Sequence, residues 1–179
     1  RARGVGEAER ERYLEMLRYA AGAAAARGIR FFFGIWQQKP WADQQESLVE
    51  GLEPKDLTAY CREGVRALLA ACPDIAGLEL RVNRESGVEG QAEPFWAEFF
   101  RGVAASGRPV ELDVRAKGMT RGILDAALAT GLPVTVSTKY WCEHMGLPYH
   151  PTLQQSLEFD APPEELDRKR RYSYADLLY

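Results

Sequence analysis

Two short stretches carry most of the residue types that can do chemistry. Residues 81–87 read Arg-Val-Asn-Arg-Glu-Ser-Gly and residues 111–117 read Glu-Leu-Asp-Val-Arg-Ala-Lys. Each sets carboxylates among Arg, Lys or Asn, groups that shift a carboxyl pKa and can also hold a ligand. Glycosidic hydrolysis is the reaction such an arrangement suits, because it needs two carboxyl groups, roughly 5 Å apart for retention and about 6.5 to 9.5 Å for inversion. Glu85, Glu111, Asp113 and Glu143 are the candidates. Glu85 and Asp113 are the preferred catalytic pair, since Glu111 lies deeper in its strand. Plainer roles compete: an ion pair between Asp113 and Arg81 or Arg115, a solvated loop or cap position for Glu85, and a peripheral place for Glu143.

The elements that must position these residues follow from periodicity. Residues 7–27 predict a helix with Leu14, Leu17, Ala21 and Ala24 on one side, closed by Gly28; residues 29–36 predict a strand. Helical spacing returns over 55–72 and is ended by Pro73, with a strand at 77–82. A third helix opens with Pro94 in its first turn, buries Phe95, Trp96, Phe99, Phe100 and Val103, and ends at Gly107. It leads into the strand 109–117. A fourth helix, 120–130, stops at Gly131 before a strand at 133–138. Beyond lie an aromatic loop and a short helix predicted over 162–171.

Three helix-to-strand junctions are tight and glycine-closed, whereas the strand-to-helix connections 37–54, 83–93 and 139–162 are long. That asymmetry fits repeated β/α units with function at the carboxyl ends of the strands. Three successive strands each have one polar face: Glu79, Arg81 and Asn83; Glu111, Asp113 and Arg115; Thr135, Ser137 and Lys139. A doubly wound sheet covered on both sides needs two apolar faces, but a barrel lumen near its mouth tolerates charge. The expected fold is therefore an α/β chain of the (β/α)8 barrel type, residues 1–179 forming part of one domain without an internal boundary. Four units make half a barrel, at about 250 residues for a full one. The chain reads as a piece of something longer, the remainder of the barrel being its first expected partner.

Composition narrows the function further. With 46% apolar residues and a formal net charge of −3, the chain suits a globular protein and offers no global positive field for nucleic acid. The longest apolar run, residues 20–26, is too short to span a membrane. Cys61 and Cys72 fall on one helical stripe roughly 16 Å apart, too far to bridge, and Cys142 lies in a loop. No targeting segment is read, so the compartment stays open, with extracellular or periplasmic placement compatible. Cys142, Glu143, His144 and His150 lack a zinc-type spacing, and no cofactor or metal is expected. There is no phosphate-cradling loop or nucleophile elbow. Trp36, Trp41, Tyr140, Trp141 and Tyr149 sit at strand ends or in the following loops, where they can stack on sugar rings or pack the loops.

Asn83 followed shortly by Glu85 resembles the end of a central strand in glycoside hydrolase barrels, where an Asn precedes the acid/base Glu; Arg84 intervenes here. Residues 111–117, 137–150 and 171–176 are similar to bacterial barrel proteins related to α-glucuronidases. The resemblance extends over most of 29–179. It implies hydrolysis of glycans bearing uronic acids, with Glu85 as acid or base and Arg115, Lys117 and Lys139 as binders of the sugar carboxylate. The expected substrate-binding set is Trp36, Asn83, Arg115, Lys117, Lys139, Tyr140, Trp141, Glu143 and His144. Competing functions are a non-catalytic carbohydrate-binding barrel and a lyase or aldolase using Lys117 or Lys139.

Overall fold

The computed structural model describes residues 2–40, 47–88 and 92–137. Four helices alternate with four strands: α1 (Glu7–Ala25), β1 (Phe31–Ile35), α2 (Leu57–Ala71), β2 (Ile75–Leu80), α3 (Ala92–Ala104), β3 (Glu111–Arg115), α4 (Arg121–Leu128) and β4 (Val134–Ser137). Single turns of 3₁₀ helix, Pro54–Asp56 and Arg84–Ser86, precede α2 and follow β2. The expected units are all present. β1, β3 and β4 are shorter than expected, because pairing stops where the polar turns begin, and β2 keeps its expected length but begins two residues earlier, at Ile75 instead of Gly77. The predicted helix over 162–171 lies outside the described residues.

All four strands are parallel, in the order β1-β2-β3-β4. Register brings Gly34 beside Glu79, Glu79 beside Asp113 and Asp113 beside Thr135, and one step further Arg115 beside Ser137. Parallel partners point to the same side, so these residues share one face of the sheet. Helices α2, α3 and α4 pack in sequence against one another. Right-handed crossovers that always step in the same direction put every connecting helix on one face, which leaves the other to the polar residues.

The apolar face and these helices make the core. Leu78, Leu80, Val110, Leu112 and Val114 are fully buried beneath Trp96, Phe99 and Phe100 of α3, and the Trp96 ring packs edge-on with Phe95 and Phe99 at 5.2 and 5.5 Å between centroids. Gly102 is what lets α2 and α3 approach. A Cβ there would lie 2.5 Å from the Arg62 carbonyl oxygen. Thr120 caps α4, its hydroxyl accepting from the Ile123 N–H and donating to Glu93 at 2.6 Å, which ties the starts of α3 and α4 together. Helix α1 is held at the end of α2 by Arg18, whose Nε donates to the Ala71 carbonyl at 2.8 Å. Among the described residues no helix is long and apolar enough to cross a membrane.

Candidate functional site

The polar sheet face is organised as ion pairs: one reaches from the residue before β1 to β3, one lies within the turn after β2, and two join β3 or the turn after it to β2 or the turn after it. At the amino end Glu111 accepts from Arg30 (2.7 Å) and from the Thr135 hydroxyl (2.6 Å). The Thr135 and Arg30 hydrogen bonds together hold its carboxyl below the usual range, against a smaller opposing effect of burial. One step along, Arg115 pairs with Glu79 at 2.6 Å. At the carboxyl end Arg81 donates to Glu85 at 2.6 Å, and Lys117 lies 3.2 Å from the other Glu85 oxygen. Burial alone would raise the Glu85 pKa, but the hydrogen bonds from Arg81 and Lys117 outweigh it and hold the carboxyl below its ordinary value. Glu85 is thus kept ionised.

Asp113 sits between these pairs and belongs to none of them. The competing plain role, an ion pair with Arg81 or Arg115, is not formed: Arg81 turns to Glu85 across the 3₁₀ turn, and Arg115 crosses to Glu79 on β2. Burial pushes the Asp113 pKa up, with Glu79 and Glu111 adding to the effect while Ser137 and Arg115 oppose it. Its Oδ1 is buried without a hydrogen-bonding partner among the described residues, as is the Ser137 hydroxyl. Asp113 is thus shifted opposite to Glu85 and Glu111, toward the acid where they are held toward the anion.

The turns after β1 and β2 complete the site. The chain leaves β1 through Trp36, Gln37, Gln38 and Lys39, and the Gln38 N–H donates to the Ser86 carbonyl at 2.9 Å. Ser86 in turn donates its N–H to the Asn83 carbonyl at 2.9 Å and accepts the Val88 N–H on its hydroxyl. Two glycines lock this junction. Gly87 (φ +76°) has Lys39 packed over it, and Gly118 (φ +81°), in the turn after β3, is seated on Asn83, whose Cα would lie 2.6 Å from an added Cβ. The intervening Arg84 is exposed and Glu85 half-buried, so it is Glu85 that turns toward Arg81 and Lys117.

Trp36 is 57% exposed at the carboxyl end of β1, with the Arg81 guanidinium 3.3 Å from its ring centroid. One face of the indole is thereby occupied by a cation, which makes the ring a held platform rather than a loose side chain. Of the expected site residues, the structure brings Trp36, Asn83, Glu85, Asp113, Arg115 and Lys117 to one end or face of the sheet. Arg115 and Lys117 are each engaged with a protein carboxylate there. Lys139, Tyr140, Trp141, Glu143 and His144 lie outside the described residues, as do Trp41, Cys142, Tyr149 and His150. Cys61 and Cys72 are buried free thiols, and burial pushes Cys61 up to about 11, so it serves as a weak donor to the Gln38 carbonyl at 3.7 Å.

Gln38 is the residue that sequence reasoning missed. It is 8% exposed, in a segment, Trp-Gln-Gln-Lys-Pro, that reads as an ordinary polar loop. No local signal distinguishes it from Gln37, which is exposed. Among the described residues, no group of three or more His, Cys, Asp or Glu stands close enough to hold a metal ion.

A parallel α/β chain with a singly wound sheet, apolar on its helix side and ion-paired on the other, is the class these features define. No protein-family model matches the chain, and neither a curated protein nor a solved structure matches it.

Proposed function

We propose that the chain is half of a (β/α)8 barrel whose mouth hydrolyses glycosidic bonds, with glycans bearing uronic acids as the substrate class. The observation that carries this reading is that two carboxyl groups, Asp113 on β3 and Glu85 in the turn after β2, are shifted in opposite directions, Asp113 upward by burial and Glu85 downward by Arg81 and Lys117. Asp113 then gives its proton to the leaving-group oxygen. Glu85, held as the anion, attacks the anomeric carbon or draws a proton from water, the two courses that retaining and inverting hydrolysis require. Trp36 supplies an apolar platform for a sugar ring, and Arg115, Lys117 and Lys139 are the candidate partners of a sugar carboxylate, with Arg suited to paired, charge-assisted contacts. Tyr140, Trp141, Glu143 and His144 complete the proposed binding set.

The pairing of Arg115 with Glu79 and of Lys117 with Glu85 bears on that last role. A uronate bound here has to share or displace a partner. The same pairing is what favours a second reading, a barrel that binds carbohydrate without cleaving it, since a carboxylate held by two cations can be purely structural. A lyase using Lys117 gains less support: its ion-paired ammonium is the opposite of the shielded surroundings that a nucleophilic amine requires. Incubating the intact protein and its Glu85→Gln and Asp113→Asn variants with uronic-acid glycosides separates the readings. Hydrolysis that falls by about 10²- to 10⁴-fold in each variant supports the proposal. Saturable binding with no product supports the binding barrel, and equal turnover in all three removes both residues from the chemistry.

A further inference from the structure

An arginine side chain is long and rotamer-rich, so one fixed position for its guanidinium requires contacts that offset the freedom lost. Arg81 makes two at the mouth. Its guanidinium carbon lies 3.3 Å from the Trp36 ring centroid, and its Nη1 donates to Glu85 Oε2 at 2.6 Å. One cation thus joins two groups of different use, a ring that can stack on a ligand and a carboxylate that can react.

The two contacts are unequal. A charge-assisted hydrogen bond is strong and directional, whereas a cation is only weakly attracted to an exposed ring. Glu85 therefore sets where the guanidinium lies, and the ring is held through it. A similar trio at the amino end of the sheet shows what this requires. There Arg30 lies over Phe32 at 5.1 Å and pairs with Glu111. The Arg30 side chain is 62% exposed, however, against 18% for Arg81, and the Phe32 ring is seated on Gly77 of the neighbouring strand, where an added Cβ would collide with it. The sheet itself holds Phe32. Trp36 stands one residue beyond the end of β1, past the strand pairing.

We infer that Arg81 is a positioning residue that ties the Trp36 ring to the charge of Glu85: the platform is held while Glu85 is an anion and let go once that charge is neutralised. The charged groups facing Glu85 are Arg81, from just past β2, and Lys117, from the turn after β3. Lys117 pairs with the other carboxylate oxygen, which leaves the Arg81 bond to govern the ring. Linkage makes the effect reciprocal, so whatever stacks on the held ring favours the ionised Glu85. The inference rests on the carbohydrate reading only for what stacks there. In that reading both courses of hydrolysis neutralise Glu85: its oxygen bonds to the anomeric carbon as the leaving group departs with the Asp113 proton, or it takes a proton from the attacking water. The grip on the sugar then slackens as the glycosidic bond is cut.

Intact protein labelled with fluorotryptophan tests this at neutral pH without any sugar. The Trp36 fluorine resonance is assigned by its loss in Trp36→Phe, and that of the fully buried Trp96 reports that each variant is folded. Glu85→Gln, which keeps the shape and removes the charge, is expected to shift and broaden the Trp36 resonance, and Arg81→Met is expected to do the same. Combining the two should add nothing to the effect of Arg81→Met alone. Arg81→Lys takes the place of Arg81→Met if the latter does not fold, since an ammonium keeps the charge but has no plane to lay on the ring. The inference is overturned if Glu85→Gln leaves the Trp36 resonance where it was, or if it moves that resonance equally with and without Arg81. Coupling found without any cleavage of glycosides leaves Arg81 its role and removes the hydrolase reading. Cleavage of glycosides with Trp36 indifferent to Glu85 does the reverse.

Discussion

Asp113 is where a single residue decides most. Its pKa is raised by burial, so the folded protein carries a cost for ionising it that the unfolded chain does not. That cost is absent below the ordinary aspartate value of about 4 and present once the pH exceeds the raised one. Asp113→Asn, which keeps the shape without the charge, is therefore expected to be more stable than the unaltered protein at pH 7, with the gain shrinking as the pH falls toward 4. Glu85 runs the other way. Its lowered pKa contributes stability above the ordinary glutamate value, lost as the pH falls through the depressed one, so Glu85→Gln should destabilise at pH 7 and less so in acid. Because the Glu85 side chain is more than a third exposed, solvent screening keeps that loss small. Urea midpoints of both variants from pH 3 to 8 check the two signs. A pH-independent loss for Asp113→Asn would show that the carboxyl is not held toward its neutral form.

Gly102 shows the same logic for an element. Helices α2 and α3 meet across it, and an alanine there would press on the Arg62 carbonyl and on Val65. Overpacking of this kind costs typically about 1–3 kcal/mol, against the small gain that Ala gives over Gly within a helix. Gly102→Ala is expected to lower the unfolding free energy by that amount, seen as a lower urea midpoint, and an unchanged or higher midpoint would mean that the two helices can part cheaply. The helices and strands themselves were legible because burial imposes period. The run Phe95, Trp96, Phe99, Phe100 and Val103 can only be one face of a helix, and α3 buries all five. Alternation of Glu111, Asp113 and Arg115 with Leu112 and Val114 likewise fixed which side of β3 meets the core. Partners across the sheet were another matter. They depend on strand register and on where β2 ends, so periodicity leaves open whether Arg81 or Arg115 pairs with Asp113, and Arg81 in fact reaches Glu85 across the 3₁₀ turn. Gln38 was hidden for a similar reason, since its burial comes from a turn 48 residues further along, through the Ser86 carbonyl.

At the scale of the whole molecule, four parallel strands in sequential order with their helices on one side leave a polar face and two outer strands, β1 and β4, with one neighbour each among the described residues. Apolar side chains are exposed near both borders: Tyr13, Met16 and Tyr19 along α1 and Ile29 before β1, Leu128 on α4 and Val136 on β4. Such placement suits the proposed continuation of the sheet past its borders. The ion pairs on the polar face fix Glu85 and leave Asp113 without an ion-pair partner among the described residues. Function, on this account, comes from that contrast more than from any one motif.

The most direct test is the dependence of Asp113→Asn on the leaving group. A general acid matters when the departing oxygen is basic and little when it is already a good leaving group. Values of kcat/KM for the intact protein and this variant should therefore be compared on an alkyl glucuronide and a nitrophenyl glucuronide. The account predicts a fall of about 10²- to 10⁴-fold on the alkyl substrate and a much smaller one on the nitrophenyl substrate. It also predicts that the alkaline limb of the pH profile, set by ionisation of Asp113, disappears in the variant. Equal rates for variant and unaltered protein on the alkyl glucuronide, with the alkaline limb intact, would contradict it.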